Sequence, residues 1–443
     1  MIVELVNTGS ELMLGRVLNT HAHWLCRRLA DLGHVVTRQV AIADTGSEIQ
    51  TAVREALSRA DLVITTGGLG PTSDDLTREL IAELLGKKLI ENKDVLTHIE
   101  NFFAKRGRPR PAKTSVETFV PEGAEVFLNQ FGTAPGLAIP IEVGGGKTAE
   151  GKQLIQKLFP VPADTQSEKT AKTPARSKKW LVMLPGPPRE LRPMFDHQIT
   201  PLLKREFAAE IFICRTLRSS GVGESRVQEI VEADLLPLVK CGLEIGYCAR
   251  PGAVDVRLTA SGAGAEKIIS AGEVSVQKNL GTHLFGFDDD EIEAVVIERL
   301  TAQKKTLALA ESCTGGNIAH HLTNIPGASA VFLGGVVSYA NAVKEKLVGV
   351  RAETLAQHGA VSEAVAQEMA LGAREKFGSD FALAVTGIAG PSGGTAEKPV
   401  GTVFIALAAA SGVTVKKFLN AWDRETFKQV TATQALELLR QNL

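Results

Sequence analysis

The sequence predicts an α/β protein: two separate α/β domains with mostly parallel or mixed sheets, joined by a small α+β unit. Length is the first ground, since 443 residues exceed one core and about 150 residues per domain gives roughly three. Alternation is the second. At both ends of the chain short apolar strands take turns with amphipathic helices, the pattern of a sheet covered on both faces. The third is a change of rhythm in between, where residues 208–286 read as three strands and two helices.

In the first domain, 1–207, "MIVELVNTG" reads as a strand and Asn19–Leu32 as a helix with an apolar stripe at Trp24, Leu25, Leu29 and Leu32. "HVVTRQVAIA" is a strand, Ser47–Ala60 a helix, "DLVITTGG" a strand, and helix Lys93–Arg106 follows. From Glu142 to Lys179, "GGGKTAEGK" and "PADTQSEKTAKTPARSKK" bury too little apolar surface to order, so a flexible insertion is expected. "KWLVMLPGPPREL" resumes with a strand, a turn and a helix from about Arg189 to Phe207. In 208–286 the strands are "IFICRTLRSSG", "LEIGYCARPG" and "AVDVRLTASG", and the helices Gly223–Ala233 and Ala263–Leu280. The acidic run of "FDDDEIEA" opens a helix over Asp288–Ala302, where dipole and capping favour acids. The last domain, 287–443, alternates strand Thr306–Glu311, helix Asn317–Thr323, strand Val331–Tyr339 and helix Asn341–Leu347. Helix Ser362–Phe377, strands Phe381–Thr386, Gly401–Ala408 and Val413–Ala421, and helix Arg424–Gln441 complete it.

With 44% apolar and 22% charged residues, a folded globular chain is expected. A formal net charge of −1 supplies no field to recruit nucleic acid or an anionic membrane. Cys26, Cys214, Cys241, Cys248 and Cys313 stand at unrelated spacings without a C-x-x-C pair, against a disulfide framework or a zinc knuckle. "MIVELVNTGSELM" lacks the basic start and apolar core of a signal peptide. No apolar run reaches the ~18 residues that span a bilayer. A cytoplasmic protein with no membrane partner is expected.

Two glycine-rich turns carry the chemistry. "VITTGGLGPTSDDLTREL" runs from a strand through Gly67, Gly68 and Gly70 into a helix. Glycines admit a ligand close to the backbone, and N–H groups at a helix start suit a phosphate. Thr72 and Thr77 add hydroxyls to this turn, and Asp74 and Asp75 offer carboxylates to a divalent metal that neutralises the phosphate. Thr72-x-x-Asp75 is also a capping box. "VNTGSEL" brings Thr8, Ser10 and Glu11 to the same sheet edge, where ligands of open parallel sheets collect.

"LALAESCTGGNIAHHLT" places Ser312, Cys313 and Thr314 side by side at one turn, ahead of Gly315 and Gly316. Each of the first three carries a potential nucleophile. The N–H groups of 313–316, pointing out of the coming helix, are candidates for an oxyanion hole. Cys313 is intrinsically the better nucleophile. Its candidate bases, His320 and His321, lie seven and eight residues on, roughly 10 Å along a helix that rises 1.5 Å per residue. They read as helix-end residues, and Cys313 as a small buried filler. Lys344 is the better base. With Asn341 as N-cap it falls in a first helical turn, where the dipole opposes a cation and lowers its pKa. Arg424, just after an N-cap at Asp423, is misplaced in the same way and suits a phosphate. Tyr339 orients Lys344, stacks on a pyridine ring or is simply a buried strand-end tyrosine, and Thr386, Gly387 and Gly390 of "TGIAGPSGGT" line the substrate.

"TGSELMLG", "GGLGPTSDDLT" and "LPGPPREL" resemble the molybdopterin-binding-like domain that opens proteins of the CinA family, the competence/damage-inducible proteins. "ESCTGG", "PGAS", "GGVVSYANAVK", "GAVS", "TGIAGPSGGT" and "KPVGTV" resemble that family's C-terminal domain. The middle unit resembles a KH-like α+β domain, although "SGVGES" is not the G-x-x-G clamp of RNA binders. The 142–179 stretch, and Pro187 where a small aliphatic residue is expected, depart from the family pattern. The resemblance implies that the C-terminal domain hydrolyses the carboxamide of nicotinamide mononucleotide (NMN) to nicotinic acid mononucleotide and ammonia, without a cofactor. For the N-terminal domain it implies hydrolysis of ADP-ribose with a divalent metal of unspecified identity. A homodimer acting on small nucleotides, NMN and ADP-ribose, is expected; few aromatics and a balanced charge disfavour nucleic acid. The alternative is a non-catalytic pterin-binding or competence-associated interaction protein, but a pure binder has no need of Ser312 together with Lys344.

Overall fold

Val3–Thr8 (β1) is buried at every position, as a parallel strand covered on both faces must be. The chain continues through Ser10–Met13 (α1), Thr20–Asp31 (α2), Val36–Ile42 (β2), Gly46–Arg59 (α3), Leu62–Thr66 (β3), Thr77–Leu84 (α4), Leu89–Glu91 (β4) and Lys93–Ala104 (α5). Phe119–Pro121 (β5), Glu125–Phe127 (β6), Gly136–Val143 (β7), Ser177–Leu184 (β8), Pro188–Met194 (α6) and Thr200–Glu206 (α7) complete the first unit, Met1–Phe212. This computed structural model describes residues 1–143, 177–209 and 211–443. The main sheet has the order β2-β1-β3-β8-β7-β6, parallel across its first four strands and antiparallel beyond. Successive strand residues face opposite ways: Val6, Val63, Leu181 and Met183 pack with α3 and α4, while Leu5, Ile64, Trp180 and Val182 pack with α2, α6 and α7.

Two sequence expectations change here. The insertion is narrower than 142–179, because Glu142 and Val143 end β7 and pair with Lys178 and Ser177 at the start of β8. The remainder, 144–176, lies outside the described residues. The helix expected from Arg189 to Phe207 is broken by a π-helical turn at Phe195–Ile199. That turn lies between Pro193 and Pro201, which lack the N–H that an α-helix needs.

The second unit, Ile213–Leu443, takes all but the first residue of Phe212–Ser220 (β9), then Glu224–Val239 (α8), Glu244–Arg250 (β10), Ala253–Ser261 (β11), Ala265–Leu280 (α9) and Leu284–Phe287 (β12). The strands lie in the order β10-β11-β9-β12, and both helices pack with Leu217, Val256 and Leu258. β12 is too short to show a period in the sequence. The acidic run does not open the next helix, which begins at Ile292. Asp288 has a φ of +47°; its carboxylate accepts the N–H of Thr216 at 2.9 Å and pairs with Arg215. The run thus fastens β12 to β9.

Ile292–Gln303 (α10), Leu307–Glu311 (β13), Asn317–Thr323 (α11), Phe332–Val337 (β14), Asn341–Val348 (α12), Ala352–His358 (α13) and Glu363–Phe377 (α14) follow. Phe381–Gly387 (β15), Thr402–Ala409 (β16), Gly412–Leu419 (β17) and Arg424–Arg440 (α15) end the chain. The sheet runs β14-β13-β15-β16-β17, parallel over the first three strands and antiparallel beyond. "LALAE", "FALAV" and "FIALAAA" alternate large with small side chains. Leu307, Leu309, Leu383, Val385, Ile405 and Leu407 pack with α10, α11 and α15. Ala308, Ala310, Ala382, Ala384, Ala406 and Ala408 face α14. Buried Glu437 and Arg440 of α15 pair at 2.7 Å. Glu437 also accepts from Ser220, and Arg440 donates to the Thr282 carbonyl, so the middle and last stretches share one unit. Among the described residues no helix is long and apolar enough to cross a membrane.

Candidate active site

Ser312 follows β13, beside the ends of β14 and β15, its two parallel neighbours, at the edge where open α/β sheets gather ligands. Its N–H donates to the Val385 carbonyl at 3.0 Å, so β15 fixes the turn. Gly315 and Gly316, at φ of +63° and +95°, take the backbone region that only glycine enters cheaply and lead into α11.

Lys344 is 1% exposed and Ser312 8%. The lysine Nζ lies 2.9 Å from Ser312 Oγ, 2.6 Å from the Ser338 carbonyl oxygen and 3.4 Å from that of Tyr339. Carbonyl oxygens only accept, so they take two N–H bonds and direct the third position of the nitrogen at the serine. In the ammonium that position donates to Ser312. In the amine it is a lone pair, and the Ser312 hydroxyl donates to it. Burial holds Lys344 below its ordinary pKa, because a cation loses its hydration there. Desolvation, not the helix dipole, is the main cause. The N-cap of α12 is Ala340, with Asn341 already helical, so the sequence expectation is one residue out, and Lys344 remains near the helix start.

Cys313 is buried in the apolar cluster around β13, and burial pushes its thiol up to about 12, leaving almost no thiolate to act as nucleophile. His321 Nδ1 lies 3.1 Å from a Glu293 oxygen and His320 Nε2 3.3 Å from the Asn324 amide. Both histidines sit in the last turn of α11, as the sequence suggested.

The four-amide oxyanion hole is corrected. Glu311, 2% exposed, turns its carboxylate onto the start of α11. It accepts from the N–H groups of Gly316 at 3.0 Å, Ile318 at 3.1 Å and Ala319 at 2.8 Å. The Gly315 N–H goes to the Ser312 carbonyl at 3.1 Å. Among the described residues the amides of Cys313 and Thr314 are given no oxygen acceptor, and they lie against the Cys313 sulfur. The Thr314 side chain is fully buried, and among the described residues its hydroxyl has no hydrogen-bond partner.

Tyr339 meets Lys344 through its carbonyl, not its ring. The phenol is exposed, and its oxygen accepts from Arg424 at 2.7 Å. Asp423 caps α15 by accepting from the N–H groups of Glu425 and Thr426, with Arg424 next. The other guanidinium nitrogen donates to the Gly390 carbonyl at 2.8 Å. Lys344, Tyr339, Arg424 and Gly390 therefore share one rim. Thr386 and Gly387 do not serve it as expected. The Thr386 hydroxyl is buried and donates to the Ala360 carbonyl at 2.7 Å. A Cβ at Gly387 would sit 2.8 Å from the Thr402 carbonyl oxygen, so that glycine serves the packing of β15 on β16.

In the first unit, Gly67 and Gly68, at φ of +96° and +67°, bring the end of β3 against β1 and α4. A Cβ would lie 2.8 Å from Thr8 Oγ1 at Gly67 and 2.0 Å from Thr77 Oγ1 at Gly68. Thr77 is fully buried, and among the described residues its hydroxyl has no partner. The two acids are not in a first helical turn, because α4 begins at Thr77 with Leu76 at the N-cap position. Asp75 instead accepts from the N–H of Thr72 at 3.0 Å and from its hydroxyl. That closes a loop against Gly70, whose Cβ would lie 2.6 Å from the Asp75 carboxylate. Asp74 is exposed. Ser10 and Asp44 exchange backbone-to-side-chain bonds at 2.9 and 3.3 Å, and Glu11 lies beside Gly9. Among the described residues no three His, Cys, Asp or Glu side chains are grouped to hold a metal.

Residues 289–443 match the CinA C-terminal domain, 214–286 the damage-inducible protein CinA KH domain, and 4–205 the probable molybdopterin binding domain. A CinA-like protein of Akkermansia muciniphila is 40% identical over 98% of this chain and 95% of its own length. The chain belongs to the CinA family. A putative competence-damage inducible protein of Moorella thermoacetica, 40% identical, matches 100% of the chain and 99% of that protein. Among solved structures, the competence/damage inducible protein CihA from Agrobacterium tumefaciens shares 44% identity, covering 33% of this chain and 91% of that one, with a TM-score of 0.33. Ser312, Lys344, Tyr339 and Arg424 fall in the CinA C-terminal region, and Thr8 through Thr77 in the molybdopterin-binding one. Sequence reasoning missed Glu311, whose signal is an acid closing the apolar strand "LALAE", and Lys428, four residues after Arg424. It also missed Glu117, which accepts from Thr133 at 3.0 Å and which burial pushes up to about 7; no local pattern marks it.

Proposed function

We propose that the C-terminal domain of this CinA-family chain is an amidohydrolase that converts NMN to nicotinic acid mononucleotide and ammonia. The observation that supports it most is the buried 2.9 Å contact between Lys344 Nζ and Ser312 Oγ, a nucleophile within reach of a base. Lys344, as the amine, takes the Ser312 proton while Oγ bonds to the carboxamide carbon. The charge that develops on the carboxamide oxygen meets the N–H groups of Cys313 and Thr314. The C–N bond then breaks as Lys344 returns the proton to nitrogen, and ammonia leaves. A water gives its proton to Lys344, attacks the acyl carbon, and the acid departs as Ser312 regains a proton. These steps need no cofactor. Arg424 faces the phosphate, and the exposed Tyr339 ring is available to the pyridine. The test is ammonia release from NMN by the purified protein; none above the blank would overturn the assignment.

Only the amine form of Lys344 takes a proton, so kcat/KM is expected to rise with pH through the lowered lysine pKa. The acidic limb should lie below the ordinary lysine value of 10.5. A limb at that ordinary value, or a profile without one, would rule out Lys344 as the buried base.

A second, separate reaction in the N-terminal domain is metal-dependent cleavage of ADP-ribose. It is favoured by the glycine turn packed on the Thr77 hydroxyl, which has no partner among the described residues. Asp74 and Asp75 would hold the divalent ion, which would supply charge neutralisation at the pyrophosphate. Chelator and Asp75→Asn are each expected to remove ADP-ribose turnover and to spare NMN deamidation. Equal loss of both activities would reject two independent sites. Undiminished ADP-ribose cleavage in Asp75→Asn would leave Asp75 a loop-closing residue.

A further inference from the structure

We infer that Lys428 selects phosphorylated substrates, forming with Arg424 a two-cation seat for a phosphate monoester beside the Ser312 turn. The inference rests on the amidase assignment only for which phosphate is bound. Arg424 and Lys428 stand four residues apart on α15 and so share a face of the helix. Both line a cavity of about 430 Å³ with Asn317, Glu425 and Gln429. A Cβ at Gly315, three residues after Ser312, would lie 3.9 Å from Lys428 Nζ. The ammonium therefore stands over the nucleophile's turn. The Asn317 amide donates to the Lys428 carbonyl at 3.4 Å, which ties α11 to α15 at this point.

The charges of this cavity are unbalanced. Arg424 bonds to a carbonyl and a phenol, and neither it nor Lys428 has a carboxylate within ion-pair distance among the described residues. Glu425 lines the same cavity, leaving two cations against one carboxylate. Like charges at this helical spacing repel each other, and a dianion between them removes the repulsion. The guanidinium fork and the point-like ammonium are the two side chains that bind phosphate best. A phosphate remote from the amide binds equally in ground and transition states, so it acts on KM more than on kcat.

The test compares wild type, Lys428→Met and Lys428→Arg on NMN, on nicotinamide riboside (which lacks the phosphate) and, by calorimetry, on ribose 5-phosphate. Lys428→Met should raise KM for NMN and weaken ribose 5-phosphate binding about 10- to 100-fold, the weight of one charge-assisted contact. It should leave kcat for NMN and the riboside kinetics near wild type. Lys428→Arg should restore most of the loss. The Tm of Lys428→Met should not fall, because a repulsion is removed; a purely structural lysine would lower it. Unchanged KM and ribose 5-phosphate affinity, equal losses on NMN and riboside, or no ribose 5-phosphate binding by wild type would overturn the inference. If wild type releases no ammonia but binds ribose 5-phosphate through Lys428, the amidase assignment fails and the phosphate seat stands. If ammonia release is indifferent to Lys428→Met, the seat fails and the amidase assignment stands.

Discussion

Ser312→Ala is expected to lose about 10³-fold or more of NMN deamidation, and Lys344→Met as much, with the double variant little worse than either. Members of one catalytic unit are not additive, since removing the first already removes the step. Among the described residues Lys344 is the side chain that meets the Ser312 Oγ, and the histidines of α11 are bonded elsewhere. Cys313→Ala should keep most activity, losing only the stability that a small core cavity costs. A dead Cys313→Ala beside an active Ser312→Ala, in one ammonia assay, would sink the dyad. Stability separates lost chemistry from lost fold. The folded pKa of Lys344 is lowered, so between that value and the ordinary 10.5 the unfolded chain binds the extra proton. Stability then rises with pH across this window, and below it the full cost of burying a cation is present. Lys344→Met is free of that cost. It should melt no lower than wild type, with its advantage largest at low pH and shrinking as pH rises.

The strands were legible because "LALAE", "FALAV" and "FIALAAA" carry a period of two, and the helices because their caps and stripes are local. Ser312 and Lys344 were legible for a related reason: a hydroxyl at a strand-end turn and a cation near a helix start are both one-dimensional signals. What those residues touch was not. Burial under the surrounding fold is the main cause of the Lys344 shift. Thr386 spends its hydroxyl on Ala360, twenty-six residues earlier. The Tyr339 ring points to Arg424, eighty-five residues on. The amides of 315 and 316 looked free because the acceptor that takes one of them, Glu311, belongs to the preceding strand. β12 and α13 span four and seven residues, too few to display a period.

Glu311→Ala should be among the most damaging single substitutions in the second unit, at about 3 kcal/mol or more. One buried carboxylate accepts three N–H groups at the start of α11, bonds strengthened by its charge and by the helix dipole. Alanine leaves the donors of Gly316, Ile318 and Ala319 without an acceptor, and Ile318 is wholly buried. A helix of seven residues has no intrinsic stability to offset that, since isolated helices need roughly 12 or more. Glu311→Gln keeps one acceptor oxygen and sets an amide N–H₂ against another donor, so an intermediate loss is expected in chemical denaturation. Activity should fall along with stability, because the same turn carries Ser312 and the two amides proposed to meet the carboxamide oxygen. A Glu311→Ala protein as stable as wild type would show that α11 is held by its apolar contacts alone. Lost stability with kcat/KM intact, measured well below the melting temperature, would mean that the carboxylate anchors the helix without shaping the catalytic turn.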